Sequence, residues 1–328
     1  MLRESYVQVV AELDAFKASG RLPNFTQLAE NLRDLDISSA TLASIYRQTI
    51  QYYVTKNHHL LKRDMPKLCS RYLAGMDVLT ISVDTGFSAC IVMRRLLEEC
   101  PIRIQKQAIS EMLKEPSAIW EVAEIQEEHR GLANRLEVDV ARCNAADLVY
   151  SPDAAAHRHD AGLEYEDKLY KYLHEAGISF WTEDSLRSQG SVKTPDAKLQ
   201  VPIAVNGIVI HWIDSKATFG DEISYRQHLE EQFQKYINRF GSGMVIYWHG
   251  FIDDLQDLDE NLVLMDCFPP PDSIVQLPSM TTHGLKNRWS WLCNEPHCLP
   301  VSEHSGVTGP SAAWLQCHQG VKRLNLKD

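Results

Sequence analysis

Ile208-Val209-Ile210-His211-Trp212-Ile213-Asp214-Ser215-Lys216 is an apolar run that ends in two opposite charges. It is β-branched and aromatic and too short to span a membrane, which predicts a central strand buried on both faces. Side chains alternate along a strand, so Asp214 and Lys216 share a face, with Ile208, Ile210 and Trp212 behind them. Burying either charge unpaired is expensive, so the pair needs a reason. The preceding run, Ala197 to Val205, also reads as a strand, and Asn206-Gly207 between the two is a strong hairpin signal. Pro202 in that first strand marks an edge position or a bulge. Antiparallel pairing allows Asp196, at the head of the first strand, to converge on Asp214 at the open end. Two carboxylates placed so suit Mg²⁺ or Mn²⁺, with water and substrate phosphate filling the remaining octahedral positions.

Two helices bring further polar groups inward. From Leu163 to Gly177 the apolar positions Leu163, Leu169, Tyr170, Leu173 and Ala176 form a stripe of helical period. At about 100° per residue, Glu166 falls near the centre of that stripe and Glu164 on the opposite face. In Asp221 to Phe240 the apolar face is Tyr225, Leu229, Phe233, Tyr236 and Phe240, with Gln232 among them and Gln234 outside. Each group has a plain structural alternative. Asp214 and Lys216 could be a strand-end ion pair, Glu166 a satisfied core carboxylate, Gln232 a packing residue. Four such groups around one strand favour a site.

These residues resemble the signature of the PD-(D/E)xK nuclease superfamily: a helix Glu (Glu166), a Pro-Asp (Pro195-Asp196) and an acid-x-Lys on the neighbouring strand (Asp214-Ser215-Lys216). Gln232 fits the Gln found one helix later in the branch similar to archaeal Holliday-junction resolvases. The likeness is closer to an animal branch. The runs Lys193–Asp196, His211–Ala217, Phe219–Glu222, Asn238–Gly241 and Val245–Trp248 carry it, and it covers roughly residues 1–277. Asp214 stands where many members have Glu, and either ligates a metal. The resemblance implies a restriction-endonuclease-like α/β core with a mixed sheet and flanking helices, preceded by an all-α helix-turn-helix region. It implies Mg²⁺ or Mn²⁺ on Glu166, Asp196 and Asp214, with Lys216 positioning water or stabilising the transition state and Gln232 steadying the phosphate or the lysine. The reaction implied is phosphodiester hydrolysis in structured DNA rather than RNA. Junction-cutting relatives imply a homodimer. The branch also implies codanin as a protein partner and a place in nucleus and cytoplasm, which no residue pattern shows.

A length of 328 residues suggests two or three domains. We expect a helical, helix-turn-helix-like domain over 1–72, a second such module with connector helices over 73–145, the nuclease domain over 146–277, and a disordered or variant extension over 278–328. Asn24 caps a short helix and Ser38-Ser39 a longer one, Ala40 to Tyr53, which gives a first helix-turn-helix. Val78 to Glu98 gives a second, with its turn at Gly86, Ser88 as cap, and Arg94 and Arg95 on the recognition helix.

The net charge of −11 argues against a nucleic-acid partner until its distribution is read. Residues 146–277 hold 10 basic against 22 acidic residues, so the acidity sits where metals would offset it. Arg47, Lys56, Lys62, Arg63, Lys67 and Arg71, against Asp64 alone, form a candidate phosphate-contacting run.

The chain begins without a signal-peptide pattern and has no apolar run of 18 residues, so no membrane is expected. Its eight scattered cysteines read as reduced thiols. Cys293, His297, Cys298, Cys317 and His318 are of zinc-ligand type in no zinc spacing. Two other classes compete with a nuclease: an inactive nuclease fold kept as a scaffold, and a regulator whose helical half binds duplex DNA.

Overall fold

Val205 pairs with Ile208, and Asn206 (φ 51°) and Gly207 (φ 82°) both lie in the left-handed region, as a type I′ hairpin turn requires. The hairpin belongs to a computed structural model that describes residues 1–19, 24–99, 104–122 and 130–276. The extension over 278–328, with its candidate zinc ligands, lies outside the described residues.

The chain opens with helices α1 (Arg3–Ala18), α2 (Phe25–Asn31), α3 (Ser39–Leu73), α4 (Val78–Thr85), α5 (Ala89–Glu99), α6 (Lys106–Lys114), α7 (Arg130–Ala146) and α8 (Pro152–Glu175). Strand β1 (Phe180–Thr182), helix α9 (Glu183–Ser188) and the hairpin strands β2 (Ala197–Val205) and β3 (Ile208–Lys216) follow. Then come α10 (Glu222–His228), a π-turn (Leu229–Phe233), α11 (Gln234–Phe240), β4 (Gly243–Tyr247), β5 (Leu262–Met265) and β6 (Ile274–Gln276). The sheet runs β1-β2-β3-β4-β5, with β6 also on β2. β3, β4 and β5 are parallel and the other pairings antiparallel, so the architecture is mixed α/β behind an all-helical start.

Pro202 does mark a bulge. On one side β2 pairs with β1 through 197–199 and with β6 through 203–205, and Pro202, with no N–H to give, sits between. The register against β3 shifts over the same stretch. That shift corrects the expected facing of β3. Ile210 packs with Leu199 and Ile203 on one side of the sheet, with Ile208 beside them, whereas Trp212 packs with Phe233 and Tyr236 on the other. A bulge resets the two-residue period, which sequence alternation cannot register. Beside Trp212, a Cβ on Gly243 would lie 2.0 Å from the indole, so the position admits only glycine while that ring stays put.

The helices lie where the sequence places them but differ in length. Ser38 caps α3, and the helix runs 35 residues, through Pro66. Ser151 caps α8, which starts well before Leu163, and Leu163 itself is 49% exposed. The pair α4 and α5 turns at Gly86 (φ 73°) as expected. The cap differs: the Cys90 N–H donates to the Asp147 carboxylate at 2.9 Å, and Ser88 Oγ–H donates to it too. α5 buries Cys90, Val92, Met93, Leu96 and Leu97, so it lies within the helical core. No helix is long and apolar enough to cross a membrane among the described residues.

The helical start packs directly on the sheet. Val9, Leu13, Leu28, Leu42 and Ile45 share one core with Trp212, Phe233 and Tyr247. From α3, Ser44 Oγ accepts the Phe219 N–H at 2.9 Å, and Gln48 Nε2 donates to the Phe219 carbonyl at 2.9 Å. Tyr52 and Tyr6 donate to the two oxygens of buried Asp221, which also caps α10. The loop that leaves β3 is thus clamped from the N-terminal side.

Candidate active site

Asp196 stands one residue beyond the Ala197–Ile213 pair, so the antiparallel register sets it opposite Asp214. Directly opposed residues in such a pair lie on one face with close Cβ atoms. Ser215 N–H donates to Asp196 Oδ2 at 2.7 Å, which fixes the carboxylate at the open end of the hairpin. Around it, Tyr170 Oη donates to the Asp196 carbonyl at 3.2 Å and Tyr236 Oη to the Thr194 carbonyl at 2.9 Å. Trp248 Nε1–H donates to Ser215 Oγ at 2.8 Å. The Thr-Pro-Asp segment is therefore held by α8, α11 and β3.

Lys216 Nζ donates to Gln232 Oε1 at 2.8 Å and meets Asp214 Oδ2 at 2.5 Å. Asp214 is 1% exposed, and Lys216 is its ion-pair partner in the buried site. The apolar period predicts a regular helix through Gln232. Instead a π-turn spans Leu229–Phe233, and its extra residue changes the helix phase at Gln232, beside the lysine. Nearby His228 bonds Tyr247 Oη at 3.0 Å, and burial and the Lys216 charge push its pKa down to about 3. It is neutral throughout the physiological range.

Glu166 points inward from α8, half-buried, while Glu164 is exposed, as periodicity required. Burial, then the charges of Glu183 and Asp214, raise the Glu166 pKa above the ordinary carboxylate range. Burial and Asp214 raise Asp196 well above it, against the pull of Lys216 and the Ser215 amide. Burial alone would lower the Lys216 pKa, but Asp214, Asp196 and Glu166 together raise it. All these side chains occupy one electrostatic neighbourhood, and its carboxylates repel one another.

The donor set fits a hard divalent cation. Asp196 and Asp214 offer buried carboxylate oxygens, which are hard ligands, and Asp214 Oδ2 is shared with the Lys216 ammonium. Glu166 is the third candidate. Among the described residues no three His, Cys, Asp or Glu side chains already close on one point. Mg²⁺ is commonly held by one or two carboxylates, with water and phosphate completing its shell.

The family described as "Protein of unknown function TPD sequence-motif" matches residues 132–268, a span that contains Thr194-Pro195-Asp196. The chain is similar to "CDAN1-interacting nuclease 1" of Homo sapiens, at 37% identity over 249 residues, 71% of this chain and 84% of that protein. The Bos taurus protein of the same name is similar to the same extent. That of Danio rerio is 40% identical over 185 residues, 54% of this chain and 58% of its own. No solved structure matches the chain with significance. The chain belongs to the CDAN1-interacting nuclease 1 family.

In this member of the family the six basic residues of the candidate run do not share a surface. Lys56, Lys62 and Lys67 are exposed on α3. Arg63 is held by its neighbour Asp64 through two hydrogen bonds of 2.8 and 3.0 Å, and Arg71 pairs with Asp84. Arg47 lies nine positions before Lys56, about half a turn away on the helix, and lines a cleft instead. On α5, Arg94 and Arg95 are half-buried, and Arg95 pairs with Glu98 at 2.7 Å. Sequence reasoning misses Glu183, the carboxylate with most influence on Glu166. It opens α9, accepts from Thr194 Oγ1 at 3.1 Å and from Arg187 at 2.7 Å. An acidic residue in a first helical turn is ordinary, so no local signal marks it.

Proposed function

We propose that this chain is a divalent-metal-dependent phosphodiesterase acting on structured DNA in preference to RNA, built on a PD-(D/E)xK core. The observation that carries the reading is the convergence of Asp196 and Asp214 beside a lysine held by Gln232. Its relatives bear the name nuclease, which supports the same chemistry. Glu166, Asp196 and Asp214 hold Mg²⁺ or Mn²⁺. When bound, the ion offsets charge on the scissile phosphate and lowers the pKa of the attacking water. Lys216, steadied by Gln232, donates a hydrogen bond where negative charge develops. The Ser215 amide keeps Asp196 aimed at the same point. We extend codanin as partner to this chain from the names of its relatives, and propose a homodimer working in nucleus and cytoplasm, with residues 1–145 presenting the strand to residues 146–277.

A scaffold without activity is the rival, favoured by the ion pair that already engages Asp214. Labelled single-stranded, duplex, flapped and four-way DNA, and matching RNA, should be incubated with Mg²⁺, Mn²⁺ or EDTA. Cleavage with metal and none in EDTA is expected. Intact substrate under every condition selects the scaffold.

The exposed lysines give a second expectation. Replacing Lys56, Lys62 and Lys67 by Ala should flatten the dependence of log affinity on log salt by about 2–3, because each lysine that neutralises a phosphate adds close to one to the slope. Fluorescence anisotropy across a salt series measures it, and an unchanged slope takes α3 off the binding surface.

A further inference from the structure

Between α3, the start of α8 and the ends of β3 and β4 lies a cleft of about 490 Å³, inside the range of about 300–1,000 Å³ common for small-ligand sites. Ala217, next after Lys216, is in its wall, so the cleft opens beside the candidate active site. Arg47 enters from α3, Arg158 from α8 and His249 from beyond β4. Arg158 donates one hydrogen bond, to the Val149 carbonyl at 2.6 Å, and neither arginine forms an ion pair among the described residues. Burial and the charge of Arg158 lower the Arg47 pKa, which places the two guanidiniums within electrostatic reach of each other.

The acids on the wall form no ion pair with them among the described residues. Asp147 accepts from Ser88, Cys90, Val149 and Tyr150, which uses both its oxygens. Asp153 is exposed at the rim. His249 is 9% exposed, bonds the Ala217 backbone, and has no hydrogen-bond partner at Nδ1. Two guanidiniums without ion-pair partners among the described residues form a set that an anion completes. The remaining wall, with Tyr46, Ala43 and Ala161, suits an apolar ring.

We propose that this cleft binds a nucleotide through its phosphate, with Arg47 and Arg158 on the phosphate oxygens and the nucleoside against Tyr46 and Ala161. The phosphate has two sources, a free mononucleotide or the 5′ end of a nucleic-acid strand. The site is separate from the carboxylate pair and does not require that the chain cut anything.

Calorimetric titration of the full chain in EDTA with 5′-AMP and with adenosine tests the first source. Anisotropy with 5′-phosphorylated and 5′-hydroxyl oligonucleotides of one sequence tests the second. In at least one arm the phosphate should tighten binding about tenfold or more, the worth of a charge-assisted hydrogen bond. Arg47→Gln should remove that gain and Arg47→Lys keep part of it, with melting curves confirming that each variant folds. Ala161→Trp fills the cleft, keeps both arginines and should also abolish the gain. Equal binding with and without phosphate in both arms overturns the proposal. So does a gain that survives Arg47→Gln or Ala161→Trp.

Discussion

Lys216→Ala destabilises the fold by about 3–5 kcal/mol, because it leaves the Asp214 carboxylate buried without its partner. Cleavage should fall at least about a hundredfold, the scale of losing one preorganised donor to a developing charge. The stability loss also has a pH signature. The folded pKa of Lys216 is raised, so its contribution is complete below the unfolded value, about 10.4, and is lost only as pH rises through the folded one. Wild type therefore keeps this stabilisation across the neutral range, and the variant lacks it there. Asp214→Asn with Lys216→Met separates the two effects. Replacing both partners of a buried pair by neutral groups of like size is often tolerated, so the double variant should regain most stability and no activity. Urea unfolding and cleavage assays on the three proteins measure both. A Lys216→Ala protein as stable as wild type means that the lysine does not offset the Asp214 charge.

The parts of this site that could be read from sequence are those set by neighbours along the chain. Asn206-Gly207 demands left-handed φ at two successive residues, and that fixes the hairpin. The register beside the turn would set Asp196 opposite Ala217, and the shift between Lys198 and Ile203 brings it to Asp214 instead. Glu166 points inward because a 3.6-residue period puts it there. What could not be read depends on distant parts of the chain. The bulge opposite Pro202 turns Ile208 and Ile210 away from Trp212, and only the pairing of β2 with two different strands shows why. The π-turn at Gln232 and the tyrosines that hold Thr194 and Asp196 belong to tertiary packing in the same way. The basic run misleads for a geometric reason. Residues near each other in sequence scatter around a 35-residue helix, so Arg47 faces a cleft while Lys56 and Lys67 face water.

Asp196→Asn should abolish cleavage and yet raise stability at pH 7 by about 0.5–2 kcal/mol, as neutralising changes at strained functional sites commonly do. Asp196 is desolvated and faces Asp214, with Glu166 adding to the repulsion, so its folded pKa lies above the unfolded one. For such a group the folded state disfavours the charged form. The penalty is present above the raised folded pKa, shrinks as pH falls through it, and is gone near the unfolded value of about 3.9. Asparagine retains an oxygen for the Ser215 N–H and removes the charge, so the variant should lead wild type at pH 7 and lose its lead toward pH 4. Mg²⁺ gives an independent readout. An ion that binds only the folded state stabilises it by mass action, so millimolar Mg²⁺ should raise the wild-type Tm and leave that of Asp196→Asn nearly unchanged. Melting curves from pH 4 to 8, in EDTA and in Mg²⁺, contain the whole test. A variant less stable than wild type at pH 7 in EDTA would show that Asp196 serves mainly as an acceptor for the backbone. Equal Mg²⁺ shifts in both proteins would place any bound ion elsewhere.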